Sequence, residues 1–374
     1  MKKKKVLLVA TVVKAHIMVF HIPFLKWFKE NGYETYVCAK NDYENKEECV
    51  IPYCDIYYDL PFERSPIKKN NFNTYKQLKQ IIDSNEFDII HCHTPMGGVL
   101  ARIAARNTRR DNTKVFYTAH GFHFYKGAPI TNWLLYYPVE RWLARYTDVL
   151  ITINKEDYSR AQKFKAKHIE YVPGVGIDTH KFSEILVNKT KKRNEIGIPK
   201  DSIIVLSVGE LNKNKNHETI IRAIAKLGNP NIYYVICGEG LLKNHLKKLV
   251  KELGLEEQVR LFGYRTDIAE ISQVSDIFAF PSFREGLSLS LMEAMCSGLP
   301  VVCSRIRGNS DLIQDGSGGY LLEPDNIEGF SNAIKKLEQN TSQREVMGEY
   351  NNRLILAFDI NNVINDMEKI YSEV

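Results

Sequence analysis

The stretch Phe280-Pro-Ser-Phe-Arg-Glu-Gly-Leu-Ser-Leu-Ser-Leu-Met-Glu-Ala-Met-Cys-Ser-Gly-Leu-Pro300 decides how this chain is read. The apolar run Ile277–Phe280 reads as a strand, and Pro281 stops it. Residues 282–287 form a short loop with one carboxylate, Glu285, beside Gly286. Ser288 has the side chain of an N-cap. A helix is expected from there to about Ser297, ended by Gly298 and kept from resuming by Pro300. Met292, Met295 and Cys296 share the spacing of a buried face, and Ser290, Glu293 and Ser297 share a more polar one.

The backbone N–H groups of Gly286, Leu287 and Ser288 therefore lie at a helix start, between two carboxylates. Such a start is a ready anion site, and glycine lets a phosphate come close. Glu285 and Glu293 can accept hydrogen bonds from sugar hydroxyls. Together these groups suit a nucleotide-sugar. Two glutamates on an ordinary strand–loop–helix unit also arise by accident, so the reading depends on its surroundings.

The chain has 374 residues, and at roughly 100–200 residues per domain two domains are expected. Hydrophobic residues are 44% and charged residues 26%, a globular composition with apolar mass for real cores. A net charge of +6 suits an anionic ligand or an anionic membrane surface and does not call for nucleic acid. The 7 cysteines are scattered without a Cys-x-x-Cys pair, which points to a reducing compartment and no zinc site. Lys2–Lys5 before Val6–Val13 imitates a secretion leader, but Lys14 and His16 cut the apolar run short and it reads as a buried parallel strand. No run approaches the ~20 apolar residues of a membrane span. The lysines can lean on acidic lipid or stay solvated.

Outward from the opening stretch the chain alternates strand and helix. In the first half, strands are expected at 6–13, 35–39, 88–91, 115–118 and 149–153, with helices near 20–31, 75–84, 97–107 and 132–146. His91, His93, His120 and His123 fall at strand C-terminal ends, where doubly wound sheets bind ligands. Residues 172–200 break the pattern and read as a linker. The second half repeats it, with strands at 203–208, 233–237, 259–262, 277–280 and 301–303. The last residues, Ile360 to Tyr371, place apolar side chains at helical spacing, so that helix must pack on something.

Gly209 to Lys215 is a strand-end loop in which Lys213 and Lys215 can meet a diphosphate as point charges. Gly263-Tyr264-Arg265 follows another strand, where a ring can stack on a base. His91 and His93 stand two apart, but no third ligand is signalled, so no metal is expected. No Asp-x-Asp pair occurs, which favours neutralising a diphosphate by lysine and helix dipole. Serine-hydrolase, P-loop and zincin motifs are missing.

The ordered motifs "SVGELNKNKNHE", "LFGYRTDI", "FREGLSLSLMEAMCSGLPVV" and "GNSDLI…GSGGYLLEPDN" resemble the retaining glycosyltransferases of family 4. "CHTPMGGVLAR", "YTAHGFHFYKGAP" and "DVLITINKEDY" are similar to its bacterial exopolysaccharide and capsule branch, and the resemblance covers nearly the whole chain. It implies the GT-B fold, an α/β architecture of two Rossmann-like doubly wound domains facing across a cleft. Residues 1–180 would form the acceptor-side domain, with the 358–374 helix crossing back to it. Residues 181–357 would form the nucleotide-sugar domain.

By that resemblance Glu285 contacts the donor sugar and His120 sits near the reacting bond. Glu293 binds the ribose, Lys215 neutralises the diphosphate, and Gly286 and Leu287 lie near the phosphates. Ser288, Gly263, Tyr264 and Arg284 complete the expected donor side. Lys14, His16, His91, His93 and His123 are expected on the acceptor side. Two departures stand out. Glu210 replaces the family's diphosphate-binding arginine, with Lys213 and Arg284 both able to substitute, and Val12-Val-Lys-Ala-His16 replaces its glycine-rich first loop.

The expected activity is retaining transfer of a hexosyl or N-acetylhexosaminyl unit from a nucleotide-diphosphate sugar, UDP first among them. The acceptor is a glycan, in the main a lipid-diphosphate-linked one. No cofactor or metal is expected, and the location is cytoplasmic, at the inner membrane face. A 2-epimerase of the same fold would release free sugar without an acceptor. A non-catalytic sugar-nucleotide-binding component would bind UDP without turnover.

Overall fold

The computed structural model describes residues 3–373; Lys2, one of the lysines expected to meet lipid, lies outside the described residues. The chain forms two units, Met1–Gly176 with Ile360–Val374, and Ile177–Asp359.

In the first unit the strands are β1 (Lys5–Val12), β2 (Glu34–Lys40), β3 (Ile56–Asp59), β4 (Ile89–His93), β5 (Lys114–Ala119), β6 (Val149–Thr152) and β7 (His168–Tyr171). They form one parallel sheet in the order β3-β2-β1-β4-β5-β6-β7. Val6 to Ala10 are at most 1% exposed, as a strand apolar on both faces must be, so β1 takes the centre. The chain winds outward from β1 to β3, then returns to pair β4 on the other side of β1 with Leu8 opposite His91. The order reverses between β1 and β4, and ligands gather beyond the strand ends at such a point.

The second unit repeats this plan. Its strands are β8 (Ile203–Val208), β9 (Ile232–Cys237), β10 (Val259–Gly263), β11 (Ile277–Phe280), β12 (Val301–Ser304) and β13 (Gly319–Leu322), in the order β10-β9-β8-β11-β12-β13. The reversal here lies between β8 and β11.

Four local features differ from the sequence expectation. The 20–31 helix is instead a π-helical turn, Val13–Ile17, a short turn, Met18–Phe20, and a helix Ile22–Glu30, with buried His21 at the break. Pro23 explains the late start, because proline suits the first turn of a helix and not its interior. Edge strands β3 and β7 were not foreseen, because half-buried edges carry little apolar signal. Strand β13 was hidden by its first residue, Gly319, where a Cβ would stand 1.9 Å from the Val301 carbonyl oxygen.

The expected linker is largely folded, with helices Thr179–Ser183 and Lys189–Glu195. Its cations are internal ties. Lys192 Nζ meets Asp267 at 2.6 Å and Glu270 at 2.8 Å, and Arg193 meets Asp276 at 2.8 Å. Arg193 also donates to the carbonyls of Val274, Lys200 and Ser202, which is why it is buried.

The terminal helix, Ile360–Ser372, belongs to the first unit, where Val363, Met367 and Tyr371 enter the core. Tyr371 stacks on Trp27 with ring centroids 5.7 Å apart.

Candidate active site

In the second unit, the loops leaving β8 and β11 are tied together. Asn216 Nδ2 donates to the carbonyls of Pro281 (3.1 Å) and Pro324 (2.8 Å). Phe283 N donates to the Asn214 carbonyl at 2.8 Å, and Asn214 Nδ2 donates to that of Arg284 at 2.9 Å. Asn216 has φ +53°, a left-handed conformation that asparagine tolerates. This lacing aims Lys215 across the reversal point. Its Nζ stands 2.9 Å from Glu285 Oε1 and 4.7 Å from the centroid of the Phe280 ring.

A third loop closes on the same carboxylate segment. Arg307 Nε donates to the Glu285 carbonyl at 3.1 Å. Gly308 passes so near Gly286 that a Cβ would stand 2.0 Å from the Gly286 carbonyl oxygen. Among the described residues, the amides of Gly286, Leu287 and Ser288 make no backbone hydrogen bond. The helix that follows is Leu289–Cys296, with Ser288 Oγ accepting from Leu291 N and Gly298 at φ +70° just past the end. Met292, Met295 and Cys296 are buried, while Ser290, Glu293 and Ser297 remain partly open. Burial pushes the Glu293 carboxyl up to about 7, with Lys181 pulling the other way.

Gly263 (φ +72°) ends β10 and presents Tyr264, which is 80% exposed. Glu210, Lys213 and Arg284 are all exposed. A second cation brought to the Glu285 loop, besides Lys215, is Arg307, which sequence reasoning missed although it directly precedes the "GNSDLI" motif.

In the first unit, a cavity of about 1160 Å³ opens beside the ends of β1, β4 and β5. One side is apolar, with Phe72, Val99, Leu100, Leu135 and Val139; Arg64, Lys68, His16 and His120 line the rest with His123, which stacks on Tyr136. Beneath lies a small space of about 20 Å³ bounded by His21, His91, His93 and His120.

His91 is not on the wall of the large cavity. Its Nδ1 pairs with Tyr371 Oη at 2.7 Å and its Nε2 with Thr118 Oγ1 at 2.8 Å. Lys14, expected on the acceptor side, is exposed over the Tyr43 ring and also off that wall. His93 lies below, 3.4 Å from His120 Nε2 through its Nδ1. Only two histidines were visible as neighbours in sequence; folding adds His16, His21 and His120 to His93. Burial holds His120 down at about 4 and His91 at about 3, and it also lowers His16, His21 and His93. All five are neutral at pH 7. His21 and Arg64 carried no motif of their own.

Comparison with known proteins agrees with this geometry. Residues 5–154 match the glycosyl transferase 4-like family and residues 188–354 the glycosyl transferases group 1 family. EpsD of Bacillus subtilis strain 168, whose name assigns it to the glycosyltransferases, is 40% identical over 99% of this chain and 96% of its own length. An Escherichia coli UDP-Gal:α-D-GlcNAc-diphosphoundecaprenol α-1,3-galactosyltransferase is 29% identical over 82% of this chain and 79% of its own. The crystal structure of Anabaena HepE with UDP and glucose superposes with a TM-score of 0.82 over 99% of this chain and 100% of that one, at 19% identity. With two doubly wound units, a lysine–glutamate pair at the second reversal point and a relative matching end to end, this chain belongs to the family 4 glycosyltransferases of the GT-B fold.

Proposed function

We propose that this glycosyltransferase moves a hexosyl or N-acetylhexosaminyl unit from a UDP-sugar to a lipid-diphosphate-linked acceptor, with retention of configuration, in exopolysaccharide or capsule assembly. The observation that carries the reading is the Lys215–Glu285 pair beside three unengaged amides. It places a cation, anion-binding donors and a sugar-hydroxyl acceptor within one loop cluster. The E. coli relative supports the choice of UDP and of a lipid diphosphate, since its name contains both.

In this reading Lys215 and the Gly286–Ser288 amides hold the diphosphate, with Arg307 supplying charge where the family uses another arginine. Glu285 orients the sugar, Glu293 accepts from the ribose and Tyr264 stacks on the base. Lysine and helix dipole neutralise the leaving group in place of a divalent ion. The bond from the anomeric carbon to the diphosphate breaks as a bond to the acceptor oxygen forms on the same face. The acceptor's proton passes to the departing phosphate oxygen.

Peripheral membrane contact fits the helix Ile130–Leu143. Ile130, Leu134 and Leu135 are 74%, 70% and 64% exposed, and Arg141 and Arg145 lie exposed nearby. Exposed apolar side chains beside cations suit an anionic lipid surface. No helix among the described residues is long and apolar enough to cross a membrane.

The test is a panel of UDP- and GDP-sugars, assayed for nucleotide release with and without a lipid-diphosphate-linked sugar, with the product anomer read by NMR. Acceptor-dependent release from one UDP-sugar with the α-anomer retained supports the reading. Release of free sugar without acceptor would support epimerase chemistry instead.

A further inference from the structure

The ends of β1, β4 and β5 bring four imidazoles together. His16 lies in the turn after β1 and His21 at the break before the Ile22–Glu30 helix; His93 ends β4 and His120 follows β5. One ring nitrogen from each lies within 4.8 Å of the others. We propose that they form a binding site for a borderline divalent transition cation of the zinc class.

Two observations converge on this. First, the spacing is near that of a ligand shell. A tetrahedral zinc with Zn–N bonds of about 2.0–2.1 Å holds its ligand atoms about 3.4 Å apart. His93 Nδ1 and His120 Nε2, which pair with each other here, are 3.4 Å apart, and one nitrogen from each of the four rings lies within 4.8 Å of the others. Second, ring nitrogens in the cluster find no partner among the described residues: both of His21, Nε2 of His93 and Nε2 of His16. His21 is 1% and His93 3% exposed, and buried polar atoms rarely go unpaired.

The donor set also limits the ion. Four imidazoles without a carboxylate suit zinc, cobalt, nickel or copper and not magnesium or calcium. His91 packs beside the cluster and is not part of it: both its nitrogens are engaged by Thr118 and Tyr371, and its ring lies 4.1 Å from that of His93. His16 and His120 also line the large cavity, so a bound cation would stand at its floor and hold the His120 lone pair. Occupancy is therefore expected to suppress any proton or hydrogen-bond role of His120. The site rests on this cluster alone and not on the transferase reading.

The test uses tag-free, chelator-stripped full-length protein. Zinc is titrated against a chromophoric chelator, and cobalt is titrated with visible spectroscopy. One zinc per chain and the intense absorption of four-coordinate cobalt are expected. His21→Phe keeps a ring and removes both nitrogens. Losing a ligand should weaken zinc by at least the roughly 10–100-fold that losing an outer-shell partner costs. His16→Ala, at a half-buried position on the cavity wall, should do the same and decides the matter where His21→Phe fails to fold. Stoichiometric zinc absent from the wild type, or bound as tightly by the variants, would overturn the proposal.

Discussion

Lys215 Nζ and Glu285 Oε1 stand 2.9 Å apart across the β8–β11 reversal, the side chains 19% and 13% exposed. The pair holds the lysine extended over the Phe280 ring before any substrate arrives. A diphosphate in this loop cluster would meet a cation that has already lost much of its side-chain freedom.

Replacing Lys215 by alanine should therefore weaken UDP more than uridine. A hydrogen bond to a charged group is worth about 1.5–3 kcal/mol, roughly 10–150-fold in affinity. Calorimetry with UDP and uridine checks this. Equal losses for both ligands would mean that Lys215 acts on the fold and not on phosphate.

The paired sheets and the opening stretch were legible because buried parallel strands are long apolar runs, and because Ser288 and Gly298 bracket a helix. The ties between loops were not. Nothing local in the sequence says that Asn216 reaches Pro281 and Pro324, or that Arg307 reaches the Glu285 carbonyl. The histidine cluster shows the same limit, since His21 joins His93 only through strand order. Lys192 and Arg193 were read as part of a linker because composition does not reveal ion-pair partners about 75 residues or more away.

Glu293 should make donor binding depend on pH. Burial raises its carboxyl to about 7, so the carboxylate that accepts from ribose hydroxyls becomes dominant only above that pH. The UDP affinity of wild type relative to Glu293→Gln should rise between pH 6 and 8. Because the folded value exceeds the unfolded one, this group's stabilisation is complete below about 4.5 and is lost as pH rises through about 7. Glu293→Gln should accordingly gain in melting temperature over wild type from pH 5 to pH 8. A constant difference would contradict the raised carboxyl.

The buried histidines should make the protein acid-labile early. Burial depresses His91 to about 3 and His120 and His217 to about 4, and it lowers His16, His21 and His93. Unfolded histidine titrates near 6.5, so this stability is complete above about pH 6.5 and is lost as pH falls toward the folded values. Most carboxylates titrate lower, and Glu293 acts in the opposite sense as one group against six. Urea midpoints should fall between pH 6.5 and 5. An unchanged midpoint across that range would contradict neutral burial.

The Ile130–Leu143 helix should govern lipid contact. Ile130→Ser with Leu134→Ser removes two exposed side chains without touching a core residue or the cavity wall. Fully burying a leucine or isoleucine is worth about 1.5–3 kcal/mol, so losing even part of two such contacts should cut binding to anionic vesicles by tenfold or more. Flotation with phosphatidylglycerol vesicles measures it. Undiminished binding would move the membrane contact elsewhere.

The most direct test of the central claim compares Glu285→Gln with wild type in acceptor-dependent nucleotide release, alongside UDP affinity. Glu285 is assigned to the sugar and not to the nucleotide. Turnover should therefore fall by about 10²–10³, the typical cost of removing one stabilising group, while UDP affinity changes little. Wild-type turnover in Glu285→Gln would contradict the assignment of the Phe280–Pro300 stretch as the catalytic segment.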